Sequence, residues 1–120
     1  MISAICLAMV IYTEARGEPI EGRLAVAEVV INRMERGGAP ESVCAVTFQA
    51  KQFAPPAKTL DSDAWEESLL IARAVLKDPE GTLPGLGATF FHSVDVLPYW
   101  ASRMKRVARI GRHIFYGENA

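Results

Sequence analysis

Apolar residues recur at helical spacing along the first stretch of the chain. Ile2, Ile5, Cys6, Met9 and Val10 form one stripe, and Ala4, Ala8 and Ile11 fill the other side. A helix apolar almost all round belongs at the centre of a domain. It stops near Gly17 and Pro19, because Gly suits the position after a helix and Pro disfavours helix in the residue before it. Glu14 then falls on its last turn. A second helix over Glu21 to Met34 repeats the pattern with Leu24, Ala27, Val30, Ile31 and Met34, ends at Gly37-Gly38 and packs on the first. A helical turn around Glu41 to Val46 follows, and Gln52, Phe53, Ala54, Pro55 and Pro56 form a loop that the prolines keep irregular. Asp61 or Asp63 caps a third helix whose Trp65, Leu69, Ala72 and Leu76 make one stripe, closed by Lys77-Asp78-Pro79.

Pro79, Gly81, Pro84, Gly85 and Gly87 predict an exposed loop, after which the periodicity changes. Ala88 to His92 reads as a short strand and Pro98 to Ser102 as a helical turn. Arg106 to Ile110 and His113 to Tyr116 read as two strands joined at Gly111-Arg112. Helices first and a small antiparallel sheet last give an α+β class, a helix-rich single domain over residues 1–120 with the sheet at its C-terminal end.

Composition refines this outline. At 120 residues, half of them apolar, the chain builds one core and one site. A formal charge of −1 gives no overall reason to bind nucleic acid, although Arg103, Lys105, Arg106, Arg109 and Arg112 cluster near the C-terminus. The plain reading of that cluster is a solvated strand face; the sharper one is a surface for an acidic polymer. Cys6 and Cys44 lie on segments read as buried helix, and two thiols are too few for a disulfide scaffold, so both are expected as small buried hydrophobes. The apolar start from Ile2 to Ile11 is too short to span a bilayer and lacks the basic region of a secretory signal. The expectation is therefore a monomer without membrane insertion, held in the cytoplasm until it is released.

The run Ile11-Tyr12-Thr13-Glu14-Ala15-Arg16-Gly17-Glu18-Pro19, continued through Gly22, Ala25, Val26, Ala27, Val29, Asn32 and Arg33, resembles the SleB/CwlJ-like cell wall hydrolases. Later landmarks match in order: Ser42-Val43-Cys44, Gln52-Phe53, Gly87-Ala88-Thr89 with His92, Pro98 with Trp100-Ala101, and Gly111 with His113 and Phe115-Tyr116. Thr13 stands where that family usually has Gly, Phe91 where it often has Tyr, and Lys51 where many members carry Cys. The resemblance implies a fold related to lysozyme-like lytic transglycosylases, cleavage of peptidoglycan glycan strands, and a catalytic glutamate at Glu14. Separately, His92 and Asp95 lack a paired-His helical motif, and no cofactor or metal is expected.

The chemistry suits these residues. Breaking a glycosidic bond needs a proton on a poor leaving oxygen, which a carboxylic acid held protonated can supply. Glu14 follows an apolar run at a helix C-terminus, and both desolvation and the helix dipole there favour the neutral acid. From spacing alone Glu14 reads as a surface carboxylate paired with Arg16 or a neighbouring helix; the resemblance reverses that preference. In a lytic transglycosylase the C6 hydroxyl of the muramoyl sugar attacks internally and the product is a 1,6-anhydro sugar, so one carboxylate suffices. Glu18 is assigned to orienting substrate or the loop, against a plain salt bridge. Gln52, Thr89 and His92 offer polar partners to sugar substituents, and Phe53, Trp100 and Tyr116 offer flat faces, with core packing as the alternative for the aromatic residues. Phe115 belongs to the core.

Four rival readings remain at this point. A hydrolytic muramidase would need a second carboxylate, Glu18 first. A peptidase of the peptide stems would use Cys44 or Cys6 with His92 or His113. A zinc site would draw on His92, Asp95 and His113. A glycan-binding module would keep the fold without turnover. The absence of a separate wall-binding segment suits a phage endolysin that waits for a membrane pore.

Overall fold

The computed structural model describes residues 2–36, 42–47 and 61–118. The helices are α1 (Ile2–Ala15), α2 (Ile20–Glu35), α3 (Val43–Thr47), α4 (Ser62–Lys77) and α5 (Pro79–Thr82). They are followed by strand β1 (Phe90–Ser93), a 3-10 helix (Tyr99–Arg103), and strands β2 (Lys105–Ile110) and β3 (His113–Gly117). None of the described helices is long and apolar enough to cross a membrane. Gln52, Phe53 and the loop through Pro56 lie outside the described residues, as does the expected helix end at Gly37-Gly38.

Helix α1 is central because it has no polar face to turn outward. Leu7, Ala8, Ile11 and Ala15 are fully buried, and the helix packs on α2, α3 and α4. Burying a side chain the size of Leu7 or Ile11 contributes about 1.5–3 kcal/mol each. Thr13, placed where a helix has little use for a hydroxyl, turns its Oγ1 back to the carbonyl of Met9 at 2.8 Å. Gly17 ends the helix at φ +87°, a conformation other residues rarely adopt. Asp61 caps α4, its carboxylate accepting from the Ala64 N–H at 3.1 Å.

The stretch after α4 departs from the expected loop. Asp78 accepts from the Gly81 N–H at 3.1 Å, and Pro79 occupies the first helical position, where its missing N–H costs nothing, so the turn α5 forms before the chain opens out. The sheet is antiparallel in the order β1-β3-β2. Phe90 pairs with Tyr116 and His92 with Ile114; Arg106 pairs with Tyr116 and Ala108 with Phe115, with a register shift between Arg106 and Ala108. Alternation along β3 therefore puts His113 and Phe115 on one face with Phe91, and Ile114 and Tyr116 on the other with Phe90 and His92. The first face meets the helices: Phe115 is fully buried in the core, with Phe91, Val107 and Ile110 packed against it.

Candidate active site

The end of α1, the link to α2 and the start of β3 bring Glu14 and Glu18 within electrostatic range of His113. Glu14 lies half-buried on the last turn of α1. Glu18, also half-buried, sits in the link to α2, and both carboxylates act electrostatically on His113 at the start of β3. His113 is buried, with Phe91 edge-on at 5.1 Å, and its Nδ1 has no hydrogen-bond partner among the described residues. Burial pushes its pKa below the ordinary histidine value, with Glu18 and then Glu14 pulling the other way. The ring is neutral at neutral pH, a polar, uncharged group within electrostatic range of both carboxylates.

Glu18 has a definite task. Its Oε1 accepts from the Arg112 backbone N–H at 3.0 Å. Gly111, at φ +57°, leaves the room for this, because a Cβ there would collide with the same oxygen. Glu18 thus straps the β2–β3 turn to the segment after α1. The Arg112 side chain reaches outward, its Nη2 meeting both Asp95 oxygens at 2.6–2.7 Å. That pair lowers the pKa of Asp95 and raises that of Arg112, but both groups are fully exposed and add little to stability.

His92, Trp100 and Tyr116 come together, but on the other sheet face. His92 Nε2 and the Tyr116 hydroxyl are 2.9 Å apart, the two rings stack at 5.3 Å, and Trp100 stands edge-on to Tyr116 at 5.3 Å and to His92 at 5.7 Å. Phe90 completes the group, 5.1 Å from Trp100. His92 and Tyr116 are buried and Trp100 half-buried. Thr89 precedes this group: its N–H donates to the Tyr116 carbonyl at 2.8 Å, and its buried Oγ1 has no partner among the described residues.

Three polar residues of α2 hold this wall in place. Asn32 Nδ2 donates to the Ala88 carbonyl at 2.8 Å, and Arg33 Nε to that of Thr89 at 2.6 Å. The Arg33 guanidinium lies 4.5 Å from the Phe90 ring centre, and burial brings its pKa down to about 10, still cationic at neutral pH. Glu28, 4 % exposed, accepts from the Leu86 N–H at 3.1 Å and the Gly87 N–H at 3.3 Å. Glu28 and the placement of His113 within electrostatic range of Glu14 were both missed from sequence. The signal for Glu28 was there: it lies at i+4 from Leu24 and i−3 from Ile31, a carboxylate inside the apolar stripe.

The cysteines overturn an expectation. Cys6 on α1 and Cys44 on α3 form a disulfide, with 38 residues of sequence separation. They are not free hydrophobic thiols, and neither is available as the nucleophile of a peptidase. The zinc reading also fails on geometry: the adjacent register positions of His92 and Ser93 put His92 and His113 on opposite sheet faces, and no group of three or more potential ligands gathers among the described residues.

The family model described as cell wall hydrolase matches residues 17–116, which is most of the chain. The chain belongs to the cell wall hydrolase family. Glu14 stands just ahead of the matched span. Spore cortex-lytic enzymes of Oceanobacillus iheyensis and Bacillus subtilis are each 36% identical to it over 111 residues, covering 91% of this chain but only 39% and 35% of theirs. The chain thus spans between a third and two fifths of the length of these relatives. Among solved structures, the catalytic domain of the germination-specific lytic transglycosylase SleB of Bacillus anthracis superposes with a TM-score of 0.71 at 26% identity, covering 95% of this chain and 93% of that one. The Bacillus cereus SleB catalytic domain gives 0.69 at 27% identity, covering 97% and 91%. The helix-rich domain with its small sheet therefore has the lysozyme-like fold expected from the sequence.

Proposed function

We propose that this domain cleaves the β-1,4 bond between N-acetylmuramic acid and N-acetylglucosamine in peptidoglycan by lytic transglycosylation, with Glu14 as acid and then base. In this reading Glu14 protonates the glycosidic oxygen as the bond to C1 breaks. The C6 hydroxyl of the same muramoyl sugar attacks C1, and its proton returns to Glu14. The product is a 1,6-anhydro sugar and no water is consumed. The observation that carries the reading is the commitment of Glu18, the second carboxylate, to the turn. Its Oε1 accepts from the Arg112 N–H, while Glu14 stands on the last turn of the central helix within electrostatic range of His113. A hydrolytic muramidase needs a second carboxylate as nucleophile or base, and Glu18 is committed to the turn. The likeness to the SleB catalytic domains supports the same choice.

Trp100, the half-buried member of the aromatic group, is proposed to offer a flat face to the sugars, with His92, Tyr116 and Thr89 packed around it, and Gln52 and Phe53 are proposed as further substrate contacts. The site of action in this proposal is the wall outside the reducing cytosol, which the disulfide supports. Release as an endolysin is tested by co-expression with a pore-forming protein, where lysis is expected and its absence would remove that route. The test of the reaction is mass spectrometry of purified peptidoglycan digested by the protein. Muropeptides one water lighter than muramidase products are expected; full-mass reducing ends would show hydrolysis instead.

A further inference from the structure

From Leu97 to Gly117 the chain carries Arg103, Lys105, Arg106, Arg109 and Arg112 and not one Asp or Glu, while the other residues hold an excess of acid. Only Arg112 is neutralised, by Asp95; among the described residues Arg103, Lys105, Arg106 and Arg109 have no ion-pair partner, and all four are exposed. The backbone arranges two of them in a specific way. In a regular strand Arg106 and Arg109, three positions apart, would point to opposite faces. The register shift between Arg106 and Ala108 inserts Val107 as an extra residue, so Arg106 pairs with Tyr116 and Arg109 with Ile114, both on the outward face. Val107 and Ile110 are left to pack inward on the core. At the hairpin tip Arg109 Nε donates to the Gly111 carbonyl at 3.2 Å, in the turn that Glu18 straps to the segment after α1. The strip therefore starts at the β2–β3 turn that Glu18 holds and runs away from it along β2, on the sheet face that also carries Ile114 and Tyr116.

We propose that Arg106 and Arg109 form a binding strip for the carboxylates of the peptide stems carried by the muramoyl sugars, holding a stem-bearing strand while its glycan occupies the Glu14 site. This rests on the glycan-cleaving reading above. The chemistry fits: guanidinium groups pair with carboxylates in two-point geometry, and two cations on one strand face span successive anionic groups of an extended peptide. The start of the strip at the turn that Glu18 ties to the segment after α1 favours the substrate's own stems over a separate anionic surface.

The test uses sacculi freed of phosphate polymers by hydrofluoric acid, with or without their stems removed by an amidase. Capture is measured in a Glu14→Gln background so that turnover plays no part. Arg106→Ser with Arg109→Ser is expected to lower capture of stem-bearing sacculi roughly three- to tenfold at low salt, as two exposed charge-assisted pairs allow, and to leave stem-free glycan unaffected. The difference should vanish at high ionic strength, and Arg106→Lys with Arg109→Lys should retain most of the binding. Equal capture of stem-bearing sacculi by the parent and the serine variant overturns the proposal. So does a loss that appears only on sacculi still carrying phosphate polymers, or only on phosphatidylglycerol vesicles. Cleavage of stem-free glycan by the parent chain with Glu14 intact reports on the glycosidase reading separately, since the strip is not needed there.

Discussion

Reducing the Cys6–Cys44 disulfide should cost this domain a large part of its stability. The bridge closes a loop across a sequence separation of 38 residues, linking α1 to α3 around the whole of α2. Chain-entropy reasoning for a loop of that length gives about 13 cal/mol/K, or about 4 kcal/mol at 25 °C, drawn from constraint of the unfolded chain. Residual denatured-state structure lowers the figure, so a loss of roughly 2–4 kcal/mol is expected. Against a stability of about 5–15 kcal/mol for a domain of ordinary size, that is a substantial fraction. Urea unfolding followed by circular dichroism, with and without a strong reductant, measures it. For a slope of roughly 1.5–2 kcal/mol/M the midpoint should fall by about 1–2.5 M on reduction. The Cys6→Ala, Cys44→Ala variant should start near the reduced midpoint and ignore the reductant. Two thiols that label freely in the native, unreduced protein, or a midpoint that reductant does not move, would refute the reasoning.

Two further predictions concern buried polar groups. Glu28→Ala leaves the Leu86 and Gly87 N–H groups without their acceptor and should cost about 2–3 kcal/mol, with the loss of protection at those two amides visible in hydrogen exchange; unchanged protection would contradict the assignment. Burial lowers the pKa of His113 in the folded state below its ordinary value of 6.5, so the unfolded chain takes up the proton first as pH falls. Its stabilising contribution is complete above about pH 6.5 and is lost as pH falls through the lowered folded value. His113→Gln should therefore flatten the decline in urea midpoint between neutral and mildly acid pH, and an identical pH profile in the variant would count against it.

Much of the fold was legible because the helices carry their own instructions. The all-round apolar character of α1, the Gly17-Pro19 stop and the Asp61 cap each follow from local chemistry, and the change to period two marks the sheet. What escaped was long-range. Cys6 and Cys44 each look like one more small apolar residue on a helix, and only the packing of α3 on α1 brings their sulfurs together. The turn α5 was hidden by its Pro and Gly, although Asp78 followed by Pro79 is a capping signal. For the site, the motif pointed to Glu14 and Glu18, but the division of the remaining candidates between two sheet faces depends on strand register. That register separates His113, within electrostatic range of Glu14, from the His92, Trp100 and Tyr116 cluster.

The central claim is that Glu14 alone performs the proton transfers, and the direct measurement is turnover of purified peptidoglycan by Glu14→Gln beside the parent protein, with products identified by mass spectrometry. The amide keeps size and hydrogen bonding but cannot donate an acidic proton, so anhydro-muropeptide release should fall by a factor of about 10²–10⁴ or more while the circular dichroism spectrum and urea midpoint are retained. A folded Glu14→Gln protein that still releases anhydro products at a rate near that of the parent would contradict the account.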